Sequence, residues 1–265
     1  MVLFYSSSML IINDLPDWIR SSIKMFADDT KLWTTISVRN NNQKLWDDLR
    51  KLKDWSDKWL LKFNPDKCKV MHVGHNHPTE YSIEQDSKLS KVAEVTEEKD
   101  LGIINTCDLK SAQQCTEAAK KATTVLRLIK RHFHDINIPT FRILYTTFVW
   151  PHIEYCVQVW SPHLRKDINT LERIQMRATK LVPELRHLTK LTYNKHLYWL
   201  DLTTLEKRRL RGDLIETYKI LSGKESIDSA NFFTLNDGLH DLRGHRYKLF
   251  KDRSRLHVRK FFFSQ

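Results

Sequence analysis

Glycine and proline are scarce in this sequence, six and seven among 265 residues, which leaves few places for tight turns. The shortage argues against a many-stranded sandwich and for helical connections. Cysteine is scarcer still. Cys68, Cys107, Cys115 and Cys156 are widely separated with no C-x-x-C pair, which excludes a zinc ribbon or a thioredoxin-like site and fits a reducing compartment. Long apolar runs are missing too. The opening MVLFYSSSMLII is interrupted by serines and has no basic segment before it, so it reads as neither a signal peptide nor a membrane span but as a buried strand or helix that begins abruptly. No internal repeat or low-complexity tract is present. Disorder is excluded by what is there: 41% hydrophobic residues and eight tryptophans, enough for one large or two modest domains with proper cores.

Negative charge is sparse relative to positive charge in the second part of the chain. Residues 1–109 hold 15 Lys and Arg against 17 Asp and Glu, whereas residues 110–265 hold 29 against 15. The whole positive excess therefore belongs to the later residues. A basic segment of this kind suits a polyanion, because each Lys or Arg that neutralises a phosphate releases condensed counterions. Charge alone fits a solvated basic surface equally well.

Hydropathy patterning implies an α+β order. Ile23 to Phe26 and Lys31 to Ile36 are β-prone runs around the polar turn ADD, a hairpin signal. Leu45, Leu49, Leu52, Trp55 and Trp59, spaced by three or four, predict an amphipathic helix that ends near FNPDK, where Asn64-Pro65 forces a turn. CKVMHVG then alternates like a strand, so residues 1–75 read as a mixed sheet with a helix on one face. Residues 76–110 read as a linker or short hairpin, residues 111–223 as a helical domain and residues 224–265 as a basic connector. In the helical part Ala118, Ala122, Val125 and Ile129 share a face, and Pro139 opens a helix. Leu164, Ile168, Leu171, Ile174, Ala178 and Leu181 mark another helix, whose wet face carries Arg165, Lys166, Arg173, Arg177 and Lys180. A further helix ends at Gly223.

The residues with chemistry to offer begin with Asp28 and Asp29. Adjacent carboxylates at a hairpin turn suit a hard divalent ion such as Mg²⁺, which takes carboxylate oxygens together with phosphate and water. Phosphoryl and nucleotidyl transfer use two such ions. Asp also favours turns for its own sake, so a solvated DDT turn is the plainer alternative. His72, His75 and His77 in HVGHNH are close in sequence, but no local Cys or carboxylate completes a tetrahedral set. Trp160 in WSPHLRKD reads as a core residue rather than a nucleotide-stacking platform.

The blocks LFYSSSMLIINDLPD, IKMFADDTKLW, WLLKFNPDKCKVMHVG, EKDLGI, EYCVQVWSPHLRKDINTLERIQMRATKLV and RSRLHVRKFFFSQ, in this order, resemble reverse transcriptases of non-LTR retrotransposons, especially the jockey-like group. The resemblance covers essentially the whole chain. It implies a partial polymerase palm over residues 1–75 and a helical thumb, with RNA-directed DNA synthesis on an RNA template and a DNA primer or hybrid. It also implies deoxynucleotide triphosphates and Mg²⁺, in a nuclear or cytoplasmic protein that is neither secreted nor membrane-bound. On this resemblance Asp28 is the principal metal ligand and Asp29 the second carboxylate, with Phe26 and Ala27 packing the hairpin near the primer terminus. Lys67 corresponds to a lysine that protonates departing pyrophosphate, although an exposed strand-edge lysine fits it equally well, and Asn64 shapes the turn before it. The nucleic-acid-binding residues implied are Arg165, Lys166, Arg173, Arg177 and Lys180.

The same resemblance implies that something is missing. A reverse transcriptase needs a third carboxylate on an earlier palm strand. Only Asp14 and Asp17 precede Asp28, both in NDLPDW, which matches a structural turn of that family. The Gly and Pro that open the family's block before INDLP are absent, and FFFSQ stops where relatives continue into a Trp-Asn and Leu-Pro segment. The expectation is therefore the C-terminal part of a retroelement polymerase, inactive alone, with a sequence-tolerant nucleic-acid-binding module as the alternative. Folding is expected to be least secure in residues 1–75, where a partial sheet leaves an unpaired edge.

Overall fold

The computed structural model describes residues 2–5, 14–27, 29–36, 42–74, 79–85, 88–186, 192–236 and 247–264. The chain is a mixed α and β protein of two compact units, Met1–Leu109 and Lys110–Gln265. The boundary between the units coincides with the step in charge, so all of the positive excess belongs to the second unit.

The first unit is built on a five-stranded mixed sheet. Strands β1 (Val2–Tyr5), β2 (Ser22–Phe26), β3 (Asp29–Trp33), β4 (Lys69–Val70) and β7 (Ala93–Glu94) lie in the order β2-β3-β1-β4-β7. β2 and β3 form an antiparallel hairpin, β1 pairs antiparallel with β3 and β4, and β7 runs parallel to β4. Residues 76–110 therefore contribute a sheet strand together with two hairpins, β5 (Ser82–Gln85) with β6 (Lys88–Lys91) and β8 (Glu97–Asp100) with β9 (Ile103–Thr106). CKVMHVG supplies only the two residues of β4 to the sheet.

Helix α2 (Asn42–Trp59) buries the predicted stripe, Leu45, Leu49, Leu52 and Trp55. These join Leu15, Leu32, Phe63, Cys68, Val70 and Tyr81 in one core. Trp59, the last of the predicted stripe, is 37% exposed. The helix stops there because the next residue, Leu60, turns left-handed, with φ +55. Asp14, just before α1 (Leu15–Trp18), accepts hydrogen bonds from the indoles of Trp55 at 2.8 Å and Trp59 at 3.3 Å. Fully buried Asp48 accepts the backbone N–H groups of Arg20 and Ser21 at 3.0 and 2.7 Å, which fixes the entry into β2.

The second unit is helical. Its elements are α3 (Ala112–His132), α4 (Ile138–Leu144), a π-helical turn (Tyr145–Val149), α5 (Trp150–Glu154), α6 (Val157–Trp160), α7 (Arg165–Thr179), α8 (Pro183–Arg186), α9 (Tyr193–Trp199), α10 (Leu205–Leu221) and α11 (His257–Lys260). α3 buries Cys115, Ala118, Ala122, Leu126 and Ile129. Leu126 replaces the predicted Val125 in the core, since a step of four from Ala122 stays nearer the centre of the buried face than a step of three. Asn137 caps α4 by accepting the Thr140 N–H at 2.9 Å, with Pro139 in the first turn. The helix widens into the π turn immediately before Pro151, which has no N–H to continue the regular ladder. α10 starts on a Thr204 cap and ends with Gly223 at φ +69. There Lys224 N–H reaches the Lys219 carbonyl at 2.9 Å, closing the expected C-terminal motif.

The cysteines are free thiols. Burial pushes Cys68 in the first unit and Cys115 in the second up to about 12. Between about pH 9 and 12 the folded chain keeps these protons while the unfolded chain, with an ordinary thiol pKa, has released them. Stability is therefore present in full below that range and falls as pH rises through it, by up to ~1.4 kcal/mol per pH unit for each thiol. Melting temperatures measured from pH 8 upward should decline, and Cys115→Ala should flatten the decline. An unchanged slope in that variant rules out the thiol as its source.

Candidate functional site

Strand alternation sorts the β2–β3 hairpin into two faces. Ile23, Met25, Thr30 and Leu32 turn toward the core, while Lys24, Phe26, Asp29, Lys31 and Trp33 lie on the more open face. Phe26 pairs with Asp29 and Lys24 with Lys31 across the hairpin. The connection is a two-residue turn that begins at Ala27, whose φ of +52 belongs to the primed turns that match strand twist. Asp28 lies outside the described residues. Asp29 is a strand residue rather than part of the turn, held between Phe26 of β2 and Tyr5 of β1.

A pocket of about 660 Å³ opens beside this face, with Phe26, Asp29, Lys31, Trp33 and Leu101 among its walls. Lys31 Nζ donates to Asp100 Oδ2 at 2.6 Å. His72 also reaches the pocket, where its Nδ1 faces Glu94 Oε1 at 3.1 Å and its Nε2 accepts the Thr79 N–H at 3.2 Å. The carboxylate beside His72 is thus distant in sequence. His75 and His77 lie outside the described residues. Lys67 does not line this pocket. It sits in the turn that Asn64 shapes, where the Asn64 side chain accepts the Asp66 N–H at 3.0 Å and the Asn64 carbonyl accepts the Lys67 N–H at 3.1 Å. Asp14 is engaged with the two indoles, as a structural role requires.

In the second unit, α7 buries Ile168, Leu171, Ile174 and Ala178, which leaves Arg165, Lys166, Arg173, Arg177 and Lys180 exposed. At about 100° per residue, Lys166, Arg173, Arg177 and Lys180 fall on a single stripe roughly 60° wide, running about 21 Å along the helix. Arg165 lies off this stripe and pairs with Glu206 at 3.3 Å. Like charges at i,i+4, such as Arg173 and Arg177, repel by about 0.2–0.5 kcal/mol, so the stripe is a net cost to the isolated helix. Trp160 is a core residue, as read from the sequence, with its indole donating to the Tyr155 carbonyl at 2.8 Å.

Behind the stripe is a polar interior that sequence reasoning passed over. Tyr145 donates to Gln175 Oε1 at 2.9 Å, while Gln175 Nε2 donates to Tyr193 Oη at 3.0 Å and to the Thr203 carbonyl at 2.8 Å. Tyr193 in turn donates to Glu172 at 2.5 Å, and Glu172 also accepts the Leu205 N–H at 3.0 Å. Fully buried Gln175 thereby ties α7 to α9 and to the start of α10. Arg208 pairs with Glu154 and covers the Trp150 ring at 3.6 Å. Arg209, only 5% exposed, and Asp213 one turn later each keep a buried polar atom with no hydrogen-bond partner. Burial lowers the Arg209 pKa and raises that of Asp213. The signal available in the sequence was spacing, since Arg209 lies four residues after buried Leu205 on the inner face.

No known protein family, no curated protein and no solved structure matches the chain. Among the described residues, no helix is long and apolar enough to cross a membrane.

Proposed function

We propose that the chain is a reverse-transcriptase-type protein, with a palm-like first unit bearing the FADD hairpin and a basic second unit that holds nucleic acid in the manner of a thumb. What supports the reading is that Phe26 and Asp29 of F-A-D-D pair across an antiparallel hairpin whose turn begins at Ala27, within a sheet whose other face packs on a helix. The partners are an RNA template with a DNA primer, or their hybrid, and by family deoxynucleotide triphosphates. The α7 stripe favours a second component of the same reading, sequence-tolerant binding through phosphates.

The described residues do not supply a donor set for two Mg²⁺ ions. Among the described residues Asp29 is the one carboxylate of the hairpin's open face, the neighbouring strand β1 carries only Val, Leu, Phe and Tyr, and Lys24 and Lys31 flank Asp29 on that face. Among the described residues no three His, Cys, Asp or Glu side chains form a metal-binding group.

Two measurements on the 265-residue chain test the proposal. It should bind an RNA–DNA hybrid in a gel-shift assay. In primer extension on poly-A with oligo-dT it should give no product. Template-dependent synthesis that Asp28→Ala abolishes would show that the metal set is complete after all, and failure to bind any nucleic acid would sink the reading.

A further inference from the structure

A groove of about 450 Å³ opens in the helical unit between α10 and the C-terminal segment, with Leu210, Leu214, Phe250, Lys251, Lys260 and Phe262 among its walls. Two of these walls are open aromatic rings. Phe250 is 56% exposed and Phe262 47%, and among the described residues neither ring is paired with another ring or with a cation. Phe261 differs from them, because it stacks on His163 at 4.9 Å and has Lys260 at 5.8 Å from its ring. The backbone fixes where the two open rings stand. The Phe250 N–H donates to the Thr234 carbonyl at 2.8 Å, beside the bridge between Leu235 and Leu249, and the Phe262 N–H donates to the Arg259 carbonyl at 3.1 Å. Apolar groups grouped in this way at an open surface mark a place where something binds.

The charge around the groove narrows what that is. The loop leaves the groove at Lys251 and returns to it at Lys260, and between them Arg253, Arg255 and Arg259 are exposed, against the one carboxylate of Asp252. The occupant is therefore anionic and presents apolar faces. An amphipathic helix about 10 Å across fills roughly 420 Å³ per turn, so the groove holds about one turn, short of the i to i+7 anchors that helix docking uses. A bilayer surface takes up a projecting amphipathic helix, whereas these rings line a concavity and the adjoining α11 has four residues. A single strand of nucleic acid meets both demands, since its bases stack on aromatic rings while its phosphates meet cations. A duplex keeps its base faces stacked inside and offers the rings nothing.

We propose that this groove holds an unpaired strand of nucleic acid, with bases stacked on Phe250 and Phe262 and phosphates on the cations of the loop between them. The inference rests on the nucleic-acid reading of the second unit and gives that unit a second site of different chemistry. The α7 stripe meets phosphates alone, whereas the groove takes base faces, which every base possesses, so it is indifferent to sequence.

Fluorescence anisotropy on the full chain tests it, with oligothymidine as the single strand and a blunt RNA–DNA hybrid as the control. Replacing Phe250 and Phe262 together by Ala should weaken oligothymidine binding about a hundredfold, roughly tenfold for each ring, and leave the hybrid within about twofold. Phe250→Trp with Phe262→Trp, which keeps a flat ring at both positions, should retain the single strand. An undiminished affinity for oligothymidine in the Ala variant would overturn the proposal while leaving the nucleic-acid reading standing, and so would an equal loss on strand and hybrid. Failure to bind any nucleic acid would overturn both, and capture by phosphatidylserine vesicles in place of oligothymidine would make a bilayer the occupant. Should the Ala variant fail to fold, an oligothymidine with abasic sites gives the same readout on unmodified protein. It keeps the phosphates and removes the stacking faces, so it should bind at least about tenfold more weakly, and equal affinity for the two strands would overturn the proposal.

Discussion

Trp55→Ala is expected to lower the stability of the first unit by about 3–5 kcal/mol, the usual range when a large buried aromatic is truncated. Trp55 is 1% exposed, lies 6.2 Å from the ring of Phe63 and donates its indole N–H to Asp14. The substitution removes the core's largest side chain and also strips Asp14 of its shorter hydrogen bond. Against a total of about 5–15 kcal/mol for a typical domain, the loss corresponds to a melting-temperature drop on the order of 15 °C. Trp59 sits one turn later, is 37% exposed and makes the longer bond to the same carboxylate. Trp59→Ala should cost under about 1 kcal/mol. Urea denaturation followed by far-UV circular dichroism compares the two directly, and equal costs would mean that the core does not lie along this face of α2.

The second large effect concerns the α7 stripe. Replacing Lys166, Arg173 and Arg177 together by Glu should weaken binding to an RNA–DNA hybrid on the order of a hundredfold near physiological salt. The plot of log affinity against log salt should become shallower by about 2–3, since each lost phosphate contact removes roughly 0.7–0.9 from the slope. The three residues are exposed and aligned on one stripe, so they can follow one phosphate backbone together. Bulk charge needs its own control. Lys121, Arg127 and Lys130 of α3 are equally exposed but point in different directions around their helix. Their reversal changes net charge by the same amount and should alter the slope far less. If both triple variants behave alike, the unit's overall field governs binding and the stripe has no special part in it.

The sequence made some of this legible and concealed the rest for physical reasons. α2 and α7 could be read because one apolar residue per turn is a strong signal and both helices bury a single face. The hairpin could be read from two β-prone runs around a turn. Its exact start could not, because nothing in ADD says that the turn has two residues and that Asp29 already belongs to β3. The parallel pairing of β4 with β7 joins residues more than twenty positions apart through strands of two residues each, too short for any periodicity. The network around Gln175 was hidden because glutamine on a helix normally faces water. Arg209 and Asp213 were hidden for a related reason. Opposite charges at i,i+4 ordinarily read as a solvated pair, and only burial reveals that they are not one.

The coincidence of the unit boundary with the charge step gives salt two opposed effects on the second unit. With 29 cationic side chains against 15 anionic ones, residues 110–265 repel themselves when folded, and dissolved ions relieve that repulsion. The ionic strength that loosens the unit's hold on a polyanion is thus the ionic strength that tightens its fold. A bound nucleic acid supplies the missing counter-charge in concentrated form, and by mass action it stabilises whatever state it binds. For this unit, the ligand and the solvent's anions do the same electrostatic work in competition.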